Sequence, residues 1–484
     1  MTTKETTGFE RRLTWRDGLA FALVIPIAIF TTSTPAMAAI GSIGVILIIA
    51  IAGSVALLQN RLFAEMASMF PGKSGGIGLY ANEAWKRRFS PVGVIASYGY
   101  WAGWTCGMGV FALAFGSLVQ AQFFAESTWS VSLGSADVGL AHVIGLGTLV
   151  LSTLLNVRGV NLTIGLNKIL GAVAFIMIAV IVVGPLITGD FNTSGLTFGL
   201  NAEGLEWGGF KLTMVFLFLF GWTVYGTEIC VSITPEYRDQ NRDVSKALLL
   251  ASLLTIAVGV LVPLGLGGTL GDAAIATDPA GAYVAAFEEI LGPVSILVTL
   301  VLAASMLMIL NVAAADAGRA LFGIASEGMG PKQLAVLNSS HQPARAIVVV
   351  SVINALLLLF VGNILGIIYA GNVGYFAAIF FAVAGFILLR RDQPNRERPV
   401  KLSAAWIPVA GIIALYTLAI LVVGAANPAL AGYGGRTEQV IGLVVLFGPL
   451  LLWAYRVRIQ DKQPLRLRYV DQQVSATGRV TEMK

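Results

Sequence analysis

The 484-residue chain is 56% hydrophobic and only 12% charged, about half the charged share of an ordinary soluble domain, which excludes a water-soluble globular protein. Its formal net charge of +5 could suggest a nucleic-acid partner, but the basic residues sit in short clusters between apolar runs rather than along one face, so none is expected. The two cysteines, Cys106 and Cys230, both fall inside apolar runs and read as small packing residues, supporting neither a disulfide framework nor a thiolate metal site.

Apolar runs near the roughly 20 residues needed to cross a bilayer recur along the chain. They predict twelve spans, at about 18–40, 43–69, 91–123, 138–157, 166–188, 209–233, 245–269, 293–320, 344–361, 363–389, 405–425 and 438–456. The polar N-terminal residues lead into a long first span without a small-residue cleavage pattern, so a retained tail is expected and not a signal peptide. Arg11, Arg12 and Arg16 precede span 1, Lys86, Arg87 and Arg88 separate spans 2 and 3, and Arg158 separates spans 4 and 5. Arg238, Arg242 and Lys246 follow span 6, Arg319, Lys332 and Arg345 surround the span 8 to 9 connection, and Arg390 to Lys401 join spans 10 and 11. Loops near 124–137, 189–208 and 271–292 carry Asp and Glu but no Lys or Arg, which places both termini in the cytoplasm.

Span 1 contains Pro26-Ile-Ala-Ile-Phe-Thr-Thr-Ser-Thr-Pro35, two prolines around four consecutive hydroxyl residues. Proline removes a backbone donor, while hydroxyls re-satisfy freed backbone groups or meet a ligand, so a kinked structural helix and a binding element both fit. Span 2 ends in Phe63-Ala-Glu-Met-Ala-Ser-Met-Phe-Pro-Gly-Lys-Ser-Gly-Gly-Ile-Gly-Leu-Tyr80, and span 3 carries Tyr100-Trp101. Gly75-Gly-Ile-Gly78 reads as a helix-terminating loop, since no Lys-Ser/Thr follows at nucleotide-binding spacing. Span 6 runs at mid-depth through Gly221, Trp222, Thr223, Tyr225, Gly226, Thr227 and Glu228. A carboxylate there costs roughly 2.5–3.5 kcal/mol on insertion scales, and the flanking glycines loosen the helix. Glu228 therefore reads as a proton carrier, or else as a neutral carboxyl tying span 6 to a neighbour. Interrupted spans 1 and 6 are corresponding positions if the first ten spans form two halves, which is the sequence pointer to a transporter site at the bilayer midplane. Half-helix N-termini and unwound carbonyls at such a site suit a zwitterion.

The Glu65, Pro71, Gly75-Gly76 and Tyr80 spacing resembles the hallmark of the amino acid, polyamine and organocation transporter superfamily. Tyr100-Trp101, the Tyr225-Gly226-Thr227-Glu228 run before the charged Arg238 to Asp243 segment, and Asn311, Arg319, Ser326, Glu327, Gly328 and Pro331 extend the resemblance over about residues 15–460. It implies an all-α membrane protein of twelve helices with LeuT-type inverted five-helix repeats, helices 1–5 and 6–10, plus two peripheral helices. The expected division is 1–16 N-terminal tail, 17–188 first repeat, 189–390 second repeat, 391–457 helices 11–12 and 458–484 C-terminal tail. By the same resemblance helix 1 unwinds over Ala28, Ile29 and Phe30, whose backbone amides would meet a substrate carboxylate, and helix 6 carbonyls would meet an ammonium. Trp222 falls at the position of an aromatic middle gate, Glu228 at that of a proton-responsive glutamate, and Met108 and Phe111 at substrate-lining positions. Two departures stand out. The helix 1 glycines are replaced by Ala28, Ile29 and Phe30, for which the Thr31 and Thr32 hydroxyls are the available substitutes, and Ala174 stands where some proton-coupled members carry a lysine, Lys168 lying nearer the cytoplasmic end.

The expected substrate-binding set is thus Ala28, Ile29, Phe30, Thr31, Thr32, Tyr100, Met108, Phe111, Trp222, Thr223, Tyr225 and Gly226, with Glu228, Trp222, Glu65 and Glu236 in proton coupling and gating. Trp222 and Tyr225 otherwise read as packing aromatics, and Glu65 and Glu236, with Arg238 and Arg242, as interfacial ion pairs. His142 and His341 are isolated, so no metal site is expected, and no cofactor either. The expectation is a secondary transporter of an amino acid or derivative in the cytoplasmic membrane, coupled to H+ in preference to Na+, or an exchanger, with a homodimer compatible. An amine carrier of the same fold is the alternative; it would need less anion-binding character in helix 1 and extra acidic or aromatic residues for a second cation, of which only Glu228 is clearly placed. A membrane enzyme would need a catalytic cluster that the sequence lacks, a channel a continuous polar stripe, and a sensor an appended soluble domain.

Overall fold

In a bilayer core the backbone has no water to bond, so apolar runs must satisfy their N–H and C=O groups internally as helices. The computed structural model describes residues 9–134, 136–199, 208–279, 281–293, 295–362, 364–432, 434–469, 472–474 and 480–482. The first half comprises α1 (Trp15–Ala22), α2 (Val24–Met69), α3 (Ile77–Phe123), the hairpin β1 (Ser130–Leu133) and β2 (Ala136–Gly139), α4 (Leu140–Arg158) and α5 (Val160–Thr188). There follow α6 (Gly208–Leu219), α7 (Gly221–Tyr225), a 3-10 stretch Gly226–Val231, α8 (Gln240–Leu270), α9 (Asp272–Thr277), α10 (Ala282–Leu291) and α11 (Ser295–Ser326). The chain closes with α12 (Ala344–Phe360), α13 (Ile364–Asp392), α14 (Trp406–Ala426), α15 (Arg436–Phe447) and α16 (Pro449–Tyr455). Among the described residues nine helices are long and apolar enough to cross a membrane, a tenth span results if α6 and the bent segment after it count as one, and α12 is a shorter apolar helix.

Helix α2 has 46 residues. At 1.5 Å per residue it would run about 69 Å, more than twice the ~30 Å hydrocarbon core. It divides at Gly41, whose φ of 74° and ψ of 163° leave helical space. A Cβ there would sit 2.3 Å from the Thr197 carbonyl oxygen, so a glycine is required. This boundary falls where spans 1 and 2 were separated by sequence. The break expected over Ala28 to Thr32 is different, because the backbone there is continuous helix. Ala28 and Ile29 are fully buried and Phe30 is 4% exposed, so an unwound backbone would have neither glycine's freedom nor water to bond. Pro26 is the third residue of α2, where a missing N–H costs little.

The closest-packed pairs are α3 with α13, α2 with α8 and α3 with α11, so α2, α3, α8, α11 and α13 form the centre. At the α3–α13 crossing the backbones touch, and a Cβ on Gly99 would lie 2.3 Å from the Gly374 carbonyl oxygen. Outward faces present apolar side chains such as Ile176, Ile187, Leu415 and Val444, as a lipid-facing surface requires. The segments 124–137 and 271–292, loops by sequence, are more ordered than that. They contain, respectively, most of the antiparallel hairpin with Ser130 opposite Gly139, and the short helices α9 and α10.

Candidate functional site

Span 6 is the irregular element. Two segments of it, Gly208–Leu219 and Thr223–Val231, meet at 54°, with α7 and the 3-10 stretch replacing a straight helix. The carbonyls freed by such a bend need donors. Asn372 on α13 supplies one, its amide donating to the Phe218 carbonyl at 3.2 Å. Asn60 on α2 fixes the other side, donating to the Thr227 hydroxyl and to that of Ser252, each at 2.8 Å. Thr223 bonds back to the Phe220 carbonyl at 3.1 Å. Tyr225 shares a 2.8 Å hydrogen bond with Tyr416 and meets the Phe376 ring edge-to-face.

Glu228 therefore sits on 3-10 backbone and is fully buried, with neither carboxylate oxygen hydrogen-bonded. The Tyr375 hydroxyl and the Trp104 indole N–H face it without reaching hydrogen-bond geometry and are themselves unpaired. Its other neighbour is Asp316 on α11, also fully buried. One Asp316 oxygen accepts from the Tyr100 hydroxyl at 3.1 Å and the other has no partner. Beside this group lies a cavity of about 30 Å³ with Trp104, Phe111, Ile309, Ala313, Asn372 and Tyr375 in its wall.

Of the residues picked out by sequence, Phe111 lines that cavity, Tyr100 touches Asp316, and Gly226 lies against Trp104. Met108 is buried nearby, its sulfur accepting from Asn354 at 3.8 Å. Ala28 and Ile29 are core, Phe30 packs on the Tyr283 ring at 5.0 Å, and the Thr32 hydroxyl bonds the Ala28 carbonyl at 3.2 Å. The side chains of Thr31 and Trp222 lie outside the described residues. Sequence reasoning passed over Asp316, Tyr375 and Asn372. Asp316 had a signal, since it is a carboxylate inside an apolar run just as Glu228 is.

Polar ties cluster at both ends of the bundle. On the side of the N-terminal segment, Arg12 and Leu13 donate backbone N–H groups to the Glu236 carbonyl, each at 2.9 Å, and Arg238 returns one to Leu13 at 2.8 Å. The Glu236 carboxylate pairs with the fully buried Arg319 at 2.8 Å, not with Arg238 or Arg242, and Arg319 also holds Gln342 at 2.8 Å and the Ala315 carbonyl at 3.1 Å. Glu65 receives Arg390 in two bonds of 3.0 and 2.5 Å and the Leu402 N–H at 2.8 Å, and the Arg398 guanidinium lies 3.3 Å away as an ion pair without a hydrogen bond. In the loop before α3, Lys73 joins Glu327 and Glu83. Burial lowers its pKa, but the two carboxylates outweigh that and hold it above the ordinary 10.5. At the opposite end Asp272 accepts from the Ser42 N–H at 2.9 Å, the Ser42 hydroxyl, the Thr197 N–H at 2.6 Å and the Thr197 hydroxyl at 2.8 Å. Among the described residues no group of three His, Cys, Asp or Glu could hold a metal ion, and His142 caps its own helix by accepting from Gly139 at 3.2 Å.

Residues 18–447 match the family described as "Amino acid permease". An uncharacterized transporter of Mycobacterium tuberculosis and one of Mycobacterium bovis are each 27% identical over 435 residues, covering 88% of this chain and 90% of the relative. A probable GABA permease of Pseudomonas aeruginosa is 27% identical over 357 residues, covering 68% of this chain and 67% of the relative.

Proposed function

The chain belongs to the amino acid permease family, and from that premise we propose that it is a secondary transporter carrying an amino acid or amino-acid derivative across the cytoplasmic membrane by alternating access. The observation that carries this reading is Glu228, a buried carboxylate with both oxygens unpaired on the irregular backbone of span 6, next to a cavity wall and between two ends held by polar ties. Charged, such a group is costly, so while buried it holds a proton or is paired with a cation, and a transport cycle can use either. H+ symport or exchange follows in preference to Na+ coupling. Substrate binding at the cavity would favour release of one end over the other, a population shift between two occluding arrangements.

The architecture that supports this cycle is twelve spans, with α2 counted as two divided at Gly41, arranged as inverted repeats over 17–188 and 189–390 with 391–457 outside them. Both tails, 1–16 and 458–484, then face the cytoplasm, and the Glu236–Arg319 and Glu65–Arg390 ties form the inner gate. The Asp272 clamp forms the outer one. The relative named as a probable GABA permease makes GABA a first compound to try. The test is uptake into proteoliposomes of labelled GABA, neutral and basic amino acids under an imposed proton gradient, with and without sodium. Gradient-dependent accumulation that Glu228→Gln abolishes is expected; no flux of any amino acid or amine under any gradient overturns the reading.

A further inference from the structure

Resting on that reading, we propose that Asp316 joins Glu228 in a two-carboxylate subsite for the substrate's ammonium group, so that the preferred substrate carries its amine away from, or without, a carboxylate: an ω-amino acid, a basic amino acid or a diamine.

Glu228 sits on the 3-10 stretch and Asp316 on α11, both are 0% exposed, and Tyr100, bonded to Asp316, lies with its ring 6.3 Å from that of Tyr375, which faces Glu228. Three of their four oxygens have no hydrogen-bond partner, and Tyr100 occupies the fourth. The titratable and charged groups around them are Tyr100 from α3, Cys230 from the 3-10 stretch, Tyr375 from α13, and Arg319 one turn along α11. Arg319 is the cation of that group, and its guanidinium is committed to Glu236, Gln342 and the Ala315 carbonyl. A charged carboxylate buried without a partner costs several kcal/mol, so the pair is neutralised by protons when empty and by a ligand cation when filled.

An ammonium is the cation whose shape fits. It offers three donors to three open oxygens, and it is attracted to aromatic faces such as those of Trp104 and Tyr375. The Tyr375 hydroxyl and Trp104 N–H are buried and unpaired beside Glu228, and both residues belong to the wall of the 30 Å³ cavity, of which neither acid is itself a part. That volume accepts a water-sized group. The remaining wall, with Phe111, Ile309, Ala313 and Ile368, is apolar and suits a methylene chain. When the ammonium enters, a proton held by the pair leaves to bulk solvent, so binding and proton release are coupled.

The experiment uses the purified full-length chain and isothermal titration with putrescine, lysine, GABA, alanine and sodium chloride, in two buffers of different ionisation enthalpy. The wild type should bind putrescine, lysine or GABA at least tenfold more tightly than alanine and release about one proton per ligand. Asp316→Asn should weaken those amines at least tenfold. Asp316→Asn within twofold of wild type, amine binding with no proton release, or a response to sodium chloride alone each overturns the subsite. If Asp316→Asn does not fold, the proton count on the wild type decides alone, and Tyr100→Phe, which keeps both acids, should change amine affinity more than alanine affinity. Binding of alanine but of no detached amine defeats this inference and leaves the transporter reading standing; binding of nothing defeats both.

Discussion

Replacing Arg319 by Met tests whether the buried pair with Glu236 is a gate. The arginine is fully buried and Glu236 is 3% exposed, so the substitution strands a carboxylate that has lost its 2.8 Å partner. Breaking such a pair from one side costs about 3–5 kcal/mol. If Glu236 reaches water when this end opens, the penalty falls on the closed arrangement alone. At about 1.4 kcal/mol per decade the open fraction then rises by two to three decades, and by one decade even if most of the cost is relieved by relaxation. Cys230 is the reporter: it is fully buried, and its carbonyl accepts from the Tyr237 hydroxyl at 3.1 Å, next to Glu236. In a Cys106→Ala background the maleimide labelling rate of Cys230 should rise at least tenfold in Arg319→Met. It should return towards wild type in Arg319→Met/Glu236→Leu, which leaves no stranded charge. An unchanged rate in the single variant refutes the gate, and an equal rise in the double variant assigns the effect to lost packing instead of charge.

Other substitutions read the remaining contacts. Glu65→Gln leaves the Arg390 and Arg398 guanidiniums without their anion, at a cost of about 3–5 kcal/mol, and tryptic cleavage after Arg396 should accelerate in proportion; an unchanged digestion rate counts against a tie at this point. Asp272→Asn puts an NH2 in place of one of the two acceptor oxygens, of which Oδ2 takes three of the four contacts and Oδ1 the Ser42 hydroxyl, and should lower stability by about 1–3 kcal/mol in thermal unfolding, where no change would mean the clamp is ornamental. Gly41→Ala forces a side chain into left-handed space, costing about 1–2 kcal/mol before the Thr197 collision is counted, and should melt lower than Gly44→Ala. Burial raises the Asp17 carboxyl, but Lys168 at 2.7 Å and the Thr14 N–H and hydroxyl outweigh it and hold it below 3.8. A depressed carboxylate contributes stability that is present above its unfolded pKa and lost as pH falls through the folded one. Asp17→Asn should therefore cost a few tenths of a kcal/mol at neutral pH, the Lys168 side chain being half exposed, and nothing once the pH is well below 3.8.

The helices were legible because lipid imposes one rule on every residue: backbone groups must pair within the span, so apolar run length almost sets the element. The irregular places obeyed other constraints. Gly41 divides α2 because a loop 156 residues away, at Thr197, presses on it, and no local pattern records that. The residues opposite the helix 6 break, Asn60 and Asn372, are likewise named only by the fold. Glu236 was placed by sequence beside Arg238 and Arg242, its neighbours in the chain, yet its partner is Arg319, 83 residues on. Adjacent charges share a surface, whereas a buried carboxylate takes whichever guanidinium the packing brings without water.

That distinction sorts the buried acids by physical role. Glu65 and Glu236 meet guanidiniums, and Asp272 meets N–H and hydroxyl donors, so each is satisfied by the protein and belongs to a tie at one end. Glu228 and Asp316 alone of these five keep unpaired oxygens while fully buried. The carboxylates that tie the ends of the molecule therefore need nothing from outside it. On the proposed reading, the two in the middle are completed by a proton or a cation that arrives and leaves, and that requirement would supply the coupling.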